Sequence, residues 1–162
     1  MAENIILDRN LTIEAVRVTE AAAIAAAETM GRGDEKIADQ AAVDAMRTAL
    51  NRLQMAGTVV IGEGERDEAP MLFIGEEVGT GNGPKIDIAL DPLEGTTITA
   101  KGMPNGLAVL ALSEHGGLLN APDVYMDKIA AGPLVPPGAI DLDNTAGENV
   151  ANVAKALGKD TK

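Results

Sequence analysis

The sequence predicts a layered domain of the α/β or α+β class, and three observations lead to that prediction. Alanine-rich helical segments open the chain, short β-branched runs follow them, and glycine or proline separates the runs. The 162 residues are enough for one domain with a buried core. With one Phe, one Tyr and no Trp, that core is built from aliphatic side chains and Met. We therefore expect a single domain over residues 1–162.

Three of the predicted helices lie toward the two ends of the chain. The first covers residues 11–30, where the run AAAIAAA has strong helix propensity. Asp34 is a good N-cap for a second helix over residues 35–55. A last helix over residues 147–157 is followed by a glycine. The second helix carries an apolar stripe at helical spacing, formed by Val43, Met46, Leu50 and Leu53.

The strands are predicted between the helices. TVVIG at residues 58–62 is short and β-branched, as in a buried strand, and IDIAL at residues 86–90 and LAVLALSE at residues 107–114 are further strands. The periodicity of residues 71–79 does not distinguish a strand from a short helix. The remaining predicted elements are a short helix over residues 94–101 and a strand within residues 125–135.

The composition excludes several classes of protein. The net charge is −12, from 25 acidic and 13 basic residues, which argues against a nucleic-acid partner because phosphate backbones need a basic surface. The absence of Cys excludes disulfides and iron–sulfur clusters, and it suits a cytoplasmic protein. No apolar run approaches the ~20 residues of a membrane span, and the first residues lack the long apolar segment of a signal peptide. We expect no membrane partner and a cytoplasmic location.

Acidic residues occur at three unexpected places, one on the apolar stripe of a predicted helix and two directly after predicted strands. Asp39 begins the apolar stripe of the second helix, Glu63 follows a predicted strand between two glycines, and Asp91 and Glu94 follow another strand. Each has a plain alternative: Asp39 in a solvated first turn, Glu63 in a solvated loop, and an Asp-Pro turn at Asp91.

Taken together, these segments place carboxylates where few basic residues are available to balance them. Between residues 57 and 97 the only bases are Arg66 and Lys85. Carboxylates and phosphate oxygens are the usual ligands of Mg²⁺ and Mn²⁺. The backbone N–H groups at the N-terminus of a helix can bind the phosphate of a substrate. The sequence therefore predicts a divalent-cation cluster that acts on a phosphate.

Four motifs identify a resemblance. GRGD, GEGERDEAPML, DPLEGTT and NAPDVYM occur in this order, and they resemble class II fructose-1,6-bisphosphatase, a member of the lithium-sensitive, metal-dependent phosphatase superfamily. The likeness covers nearly the whole chain. It implies an αβαβα sandwich, Mg²⁺ or Mn²⁺, and hydrolysis of the 1-phosphate of fructose 1,6-bisphosphate in gluconeogenesis.

The resemblance also implies roles for individual residues. Asp67 would help to activate the attacking group. Gly95 and Thr96 would hold the scissile phosphate through their amides, together with Glu94, and the Thr96 hydroxyl would either orient the nucleophile or act as it. Tyr125 would contact the sugar phosphate; the alternative is a half-buried core tyrosine. The implied metal ligands are Asp39, Glu63, Asp91 and Glu94.

Alternatives to this function stay open at the level of the sequence. The resemblance implies that the chain corresponds to the N-terminal half of the family fold, with the C-terminal half absent. Sedoheptulose 1,7-bisphosphate, or another sugar or inositol phosphate, would be an alternative substrate. A non-catalytic module that binds divalent cations or assembles with other chains is an alternative of a different class. We expect a sugar bisphosphate as substrate and a homo-oligomeric assembly.

Overall fold

The computed structural model describes residues 9–63, 71–119 and 124–161. The described part divides into two compact units, Met1–Asp123 and Val124–Lys162, whereas the single domain stays a prediction. None of the helices in the described part is long and apolar enough to cross a membrane. In chain order the elements are α1 (Arg9–Ala27), α2 (Glu35–Leu50), β1 (Ala56–Ile61), β2 (Glu77–Val78), β3 (Lys85–Glu94), α3 (Thr96–Ala100), β4 (Leu107–Glu114) and α4 (Ala146–Ala156).

The first unit contains a mixed four-stranded sheet in the order β2-β1-β3-β4. Strands β1 and β3 are parallel, whereas β2 pairs antiparallel with β1 and β4 pairs antiparallel with β3. Helices α1 and α2 pack against each other and against the sheet. This arrangement confirms the layered α/β class.

Small side chains allow the two long helices to approach each other closely. Helix α1 buries Ala22 and Ala26, and α2 buries Ala38 and Ala42. An alanine-lined contact lets helix axes come nearer than bulky side chains would. The apolar face of β3 adds further buried core residues, which are Ile86, Ile88 and Leu90. Helix α2 therefore lies beside β3, the strand that leads to the Asp-Pro motif.

The predicted helices begin and end at somewhat different residues in the structure. The Asp34 carboxylate caps α2 as predicted, because its Oδ1 accepts from the Ile37 amide at 3.0 Å. The helix ends at Leu50 rather than at residue 55. Leu53 is nevertheless buried, in the turn that leads into β1. The apolar pattern of the sequence therefore predicted a longer helix than the structure contains. Helix α1 likewise ends at Ala27 rather than at residue 30.

Strand β3 is longer than residues 86–90, the predicted range. It continues through the buried Pro92 to Glu94, with a shift of register against β4 between Asp91 and Glu94. Proline cannot donate to the strand ladder, so its place is at an irregularity of this kind. Glu94 therefore ends a strand and does not begin a helix. Strand β4 is confirmed with its predicted bounds.

One predicted strand is absent, and the segment for which the sequence left strand or short helix open forms only a very short strand. Within residues 71–79 only Glu77 and Val78 are in a strand. Residues 125–135 contain no strand, so that prediction was wrong. The segment has apolar residues, but it pairs with none of the described strands. The second unit instead contains α4, one residue off its predicted position at each end, with a capping box between Thr145 and Glu148.

Candidate metal centre

The carboxyl ends of the parallel strands bring two of the predicted ligands to one edge of the sheet. Ile61 on β1 is in register with Ala89 on β3. Glu63 and Asp91 each follow these paired positions at the next residue but one. In sheets with parallel strands, ligands bind outside the carboxyl ends of the strands. Both carboxylates therefore begin from the edge where a ligand site is expected.

Asp39 reaches this region from α2. It lies inside the helix and is half-buried, so the alternative of a solvated first turn was wrong. Its Oδ1 atom is buried and has no hydrogen-bond partner among the described residues. Burial raises the pKa of Asp39 above its usual range. A buried carboxylate oxygen without a donor is costly, and a cation would remove that cost.

Asp91 is the most perturbed of these groups. Burial, followed by hydrogen bonding with Glu94, raises the pKa of Asp91 to about 6, and the negative charges of Glu94 and Asp39 add to the shift. The Leu93 amide, which donates to Asp91 Oδ1 at 3.0 Å, acts in the opposite direction. Asp39, Asp91 and Glu94, from two separate parts of the chain, therefore share one local negative field.

The GRGD turn explains why α2 delivers Asp39 to this place. The Gly31 amide donates to the Thr99 carbonyl at 3.0 Å, and the Gly33 amide donates to the Ala100 carbonyl at 2.8 Å. These bonds attach the turn before α2 to helix α3, and α3 begins two residues after Glu94. The motif thus ties the helix of Asp39 to the segment that follows Asp91.

Gly95 provides the change of direction between β3 and α3. Its φ of 98° lies in the left-handed region, and a Cβ atom there would lie 2.8 Å from the Ile98 side chain. Only glycine adopts such a backbone readily. The turn leaves Glu94 exposed and places Thr96 at the first position of α3.

The oxygen-only donor set fits a hard divalent cation such as Mg²⁺ or Mn²⁺. The buried Oδ1 of Asp39 and the mutual repulsion at Asp91 support this fit. In the described ranges, however, no group of three or more His, Cys, Asp or Glu side chains is placed to hold a metal ion. The carboxylates come near each other without forming a closed set of ligands.

Two predicted site residues do not belong to the described part of the first unit. Asp67 lies outside the described residues. Tyr125 belongs to the second unit and is fully exposed, so the alternative of a half-buried core tyrosine was wrong. Its contact with substrate stays a prediction, as do the roles of the four carboxylates, Gly95 and Thr96.

A polar pair that the sequence analysis did not find occupies the other end of β3. Asp87 is buried, and its Oδ1 lies 2.9 Å from His115 Nδ1 while Gly116 donates its amide to Oδ2 at 2.7 Å. The Gly116 amide and His115 lower the pKa of Asp87. A cavity of about 590 Å³ nearby is lined by His115 and Lys85, and none of the four carboxylates lines it. The only local signal for Asp87 in the sequence is the alternation of side chains along the strand IDIAL, which puts Asp87 on the opposite face of the sheet from Ile86.

A second such feature connects α2 with the segment after β1. Arg47 forms a two-pronged ion pair with Glu76, at 2.7 Å and 3.1 Å. The partners are 29 residues apart, so no short motif predicts the pair.

Comparisons with known proteins agree on one family. The chain matches the family described as bacterial fructose-1,6-bisphosphatase, glpX-encoded, over residues 9–162. It is 58% identical over 151 residues to fructose-1,6-bisphosphatase 1 class 2 of Escherichia coli (strain K12), covering 93% of this chain and 45% of that protein. It is 53% identical over 152 residues to the D-fructose 1,6-bisphosphatase class 2/sedoheptulose 1,7-bisphosphatase of Synechococcus sp. (strain CC9311), covering 94% of this chain and 45% of the relative. The corresponding protein of Thermosynechococcus vestitus is 51% identical over 163 residues, covering 93% of this chain and 47% of the relative. The chain therefore spans about half the length of the curated relatives that it matches.

Proposed function

Because the chain belongs to the family of glpX-encoded bacterial fructose-1,6-bisphosphatases, we propose that it acts in metal-dependent hydrolysis of the 1-phosphate of fructose 1,6-bisphosphate, a step of gluconeogenesis. The observation that carries the proposal is the convergence of Asp39, Asp91 and Glu94, whose charges meet at Asp91 with no basic partner among the described residues. Family membership implies a divalent cation, and we propose Mg²⁺ or Mn²⁺.

The proposed centre is formed by residues at the carboxyl edge of the sheet. A divalent cation bound there would polarise the phosphoryl oxygens and lower the pKa of the attacking water or hydroxyl. Asp39 and Asp91 are supported as ligands by their raised pKa values, and Glu63 by its position two residues after Ile61, the β1 residue that pairs with Ala89 of β3. Glu94 is supported by its hydrogen bonding with Asp91.

The remaining proposed roles concern the phosphate and the proton. The amides of Gly95 and Thr96 would hold the scissile phosphate, with Glu94 beside it, and the bend at Gly95 supports this role because it turns the chain at that point. The Thr96 hydroxyl would orient the attacking oxygen or be the nucleophile, and Asp67 would accept the proton as the new P–O bond forms. The bond to the sugar oxygen then breaks, and that oxygen takes up a proton. If Thr96 is the nucleophile, a water molecule would then attack the phosphorus and release phosphate from the Thr96 oxygen, which takes its proton back. Tyr125 would contact the sugar phosphate.

Phosphate release tests this proposal. We expect release from fructose 1,6-bisphosphate only with Mg²⁺ or Mn²⁺, and a loss on the order of 100-fold or more in Asp91→Asn and Asp67→Ala. Asp87→Asn is the matched control, since it removes a carboxylate from the same strand but outside the centre. Release that persists without metal, or in Asp67→Ala, would contradict the proposal. Side-by-side rates with sedoheptulose 1,7-bisphosphate and an inositol phosphate would assign the substrate, since some relatives carry the sedoheptulose name.

A second candidate function is a non-catalytic module that binds divalent cations. The observation that favours it is the buried Oδ1 of Asp39, which has no hydrogen-bond partner among the described residues and whose carboxylate adds to the negative field at Asp91, because this arrangement favours cation binding whether or not turnover follows. Mn²⁺ that raises the melting temperature without any phosphate release would support this candidate, because a ligand of the native state stabilises it whether or not turnover follows.

We also propose a homo-oligomer in the cytoplasm. Strand β4 is at the edge of the described sheet and exposes Leu107 and Val109, with no charged residue before Glu114. Two copies with a net charge of −12 each would repel least at such an uncharged edge. The lack of Cys supports the location. Light scattering on eluted protein measures the assembly; a monomer at every concentration would contradict it.

A further inference from the structure

The Arg47–Glu76 pair is more enclosed than an ordinary surface ion pair. The Arg47 side chain is 30% exposed and that of Glu76 12% exposed. Arg47 Nε donates to Glu76 Oε1 at 2.7 Å and Nη2 donates to Oε2 at 3.1 Å. The same Nη2 group donates to the Met71 carbonyl, and a longer contact of 3.9 Å joins Arg47 to Asp44. One guanidinium thus holds both a side chain and a main-chain carbonyl of another segment.

The segment that Arg47 holds is braced internally and against β1. The Phe73 amide donates to Glu76 Oε2 at 3.3 Å, and the Glu76 amide donates to the Phe73 carbonyl at 3.0 Å. Two further bonds join it to Val59 on β1, from the Gly75 amide at 2.7 Å and to the Glu76 carbonyl at 2.9 Å. Residues 71–76 therefore form a fixed support beside the strand that leads to Glu63.

Glu63 rests directly on this support. Its amide donates to the Leu72 carbonyl at 3.3 Å, one residue from the carbonyl that Arg47 holds. Gly62 packs so closely there that a Cβ atom would lie 2.4 Å from the Leu72 oxygen. The contacts form a continuous path from Arg47 through Met71 and Leu72 to the backbone of Glu63.

The other end of this path is the helix that carries Asp39. Asp39 and Arg47 are both on α2, and eight residues of helix rise about 12 Å. A helix of this length is rigid, so the position of Arg47 fixes that of Asp39. The ion pair consequently links Asp39 and Glu63, two proposed metal ligands that lie in separate segments of the chain.

We propose that Arg47 and Glu76 are positioning residues that set Glu63 relative to Asp39 for binding of a divalent cation. Neither residue is a ligand in this account, which rests on the proposed function. The planar fork of Arg matters more than its charge, because Lys lacks the rigid, two-pronged geometry that matches both oxygens of a carboxylate. Partners of this kind behind metal ligands change metal affinity by about 10–100-fold when they are replaced.

The test measures Mn²⁺ binding by calorimetry, so it does not depend on turnover. The variants are Arg47→Lys and Glu76→Gln, and Gly62→Ala perturbs the same path at its far end while leaving the ion pair intact. Arg17→Lys is the matched control, because Arg17 pairs with Glu20 on α1 with 68% and 46% of their side chains exposed. Metal-free thermal unfolding of each variant sets a temperature at which all samples are folded.

The expected result is a Kd for Mn²⁺ that rises about 10–100-fold in Arg47→Lys and Glu76→Gln, with Arg17→Lys equal to the parent. Variants that fold and bind Mn²⁺ like the parent would overturn the inference while leaving the proposed function in place. If one of the pair variants does not fold, Gly62→Ala and the other decide by the same criterion. A parent protein that binds no Mn²⁺ would overturn the proposed function and this inference with it.

Discussion

The carboxylate of Asp39, on α2, lies near enough to Asp91, at the end of β3, for its charge to help raise the pKa of Asp91. Burial is the larger cause of that shift, and hydrogen bonding with Glu94 comes next. Groups that repel one another in the metal-free fold are held together by the packing of α2 on β3. The ionised Asp91 is therefore destabilising in the metal-free protein, and a cation at the proposed centre would remove that cost.

Replacing Asp91 by Asn should stabilise the metal-free protein. The substitution removes one of the mutually repelling charges, and we expect the free energy of unfolding at pH 7 to rise by roughly 1 kcal/mol for such a half-buried group. The added stability that Mn²⁺ gives to the parent should be lost. Urea unfolding with and without Mn²⁺ measures both effects. A variant that is less stable without metal would contradict the account.

Asp87→Asn should have the opposite effect, which makes it an informative control. Asp87 accepts hydrogen bonds from Gly116 and pairs with His115, and weakening charged hydrogen bonds of a buried group costs about 1–3 kcal/mol. The same urea experiment should show a loss of stability, with the Mn²⁺ effect retained. Loss of the Mn²⁺ effect here would mean that the cation site is not confined to the carboxyl edge of the sheet.

Acid unfolding should depend on Asp87. Its folded pKa is lowered, so its contribution is present above the unfolded pKa of about 3.9 and is lost as the pH falls through the lower folded value. In Asp87→Asn, the free energy of unfolding should therefore fall less steeply at the acid end of a pH series. Equal slopes for parent and variant would show that Asp87 makes no such contribution.

Binding of Mn²⁺ should release protons near neutral pH. Burial and Glu94 raise the pKa of Asp91 to about 6, and a ligating carboxylate must be ionised, so the affinity should fall as the pH drops through that value. Calorimetry at pH 6 in two buffers of different ionisation enthalpy counts the protons. The same heat in both buffers would contradict the shift.

Gly95→Ala should damage the turn between Glu94 and Thr96. Its left-handed φ of 98° and its closeness to Ile98 predict a loss of about 1–3 kcal/mol in stability and weaker Mn²⁺ binding. Gly138→Ala is the control, because its φ of 81° is also left-handed but no atom lies within 4 Å of the added Cβ. We expect strain there without an effect on Mn²⁺ affinity.

Local patterns predicted the parts of the fold that depend on neighbours in sequence. The apolar run of LAVLALSE predicted β4 with its bounds, and Asp34 marked the start of α2. The passage of β3 through Pro92 was not predicted, because proline usually ends a strand and only pairing with β4 carries it onward. Leu53 was assigned to a helix because burial in a turn produces the same apolar signal as burial in a helix.

The sequence predicted the acidic residues of the candidate centre, but it did not predict the polar pairs elsewhere on α2 and β3. Asp39, Asp91 and Glu94 were singled out as acids without bases, and the structure brings them near one another. The pairs Arg47–Glu76 and Asp87–His115 were missed, since their members are far apart in sequence and meet only once the sheet and α2 have formed.

The most direct test of the carboxylate centre is an anomalous difference map from crystals of the protein grown with Mn²⁺. The account predicts a peak bonded to oxygens of Asp39, Glu63, Asp91 and Glu94, at about 2.0–2.3 Å, the range in which oxygen ligands bind such ions. A saturating Mn²⁺ concentration that gives a peak elsewhere in the protein, and none between Asp39 and Asp91, would contradict it.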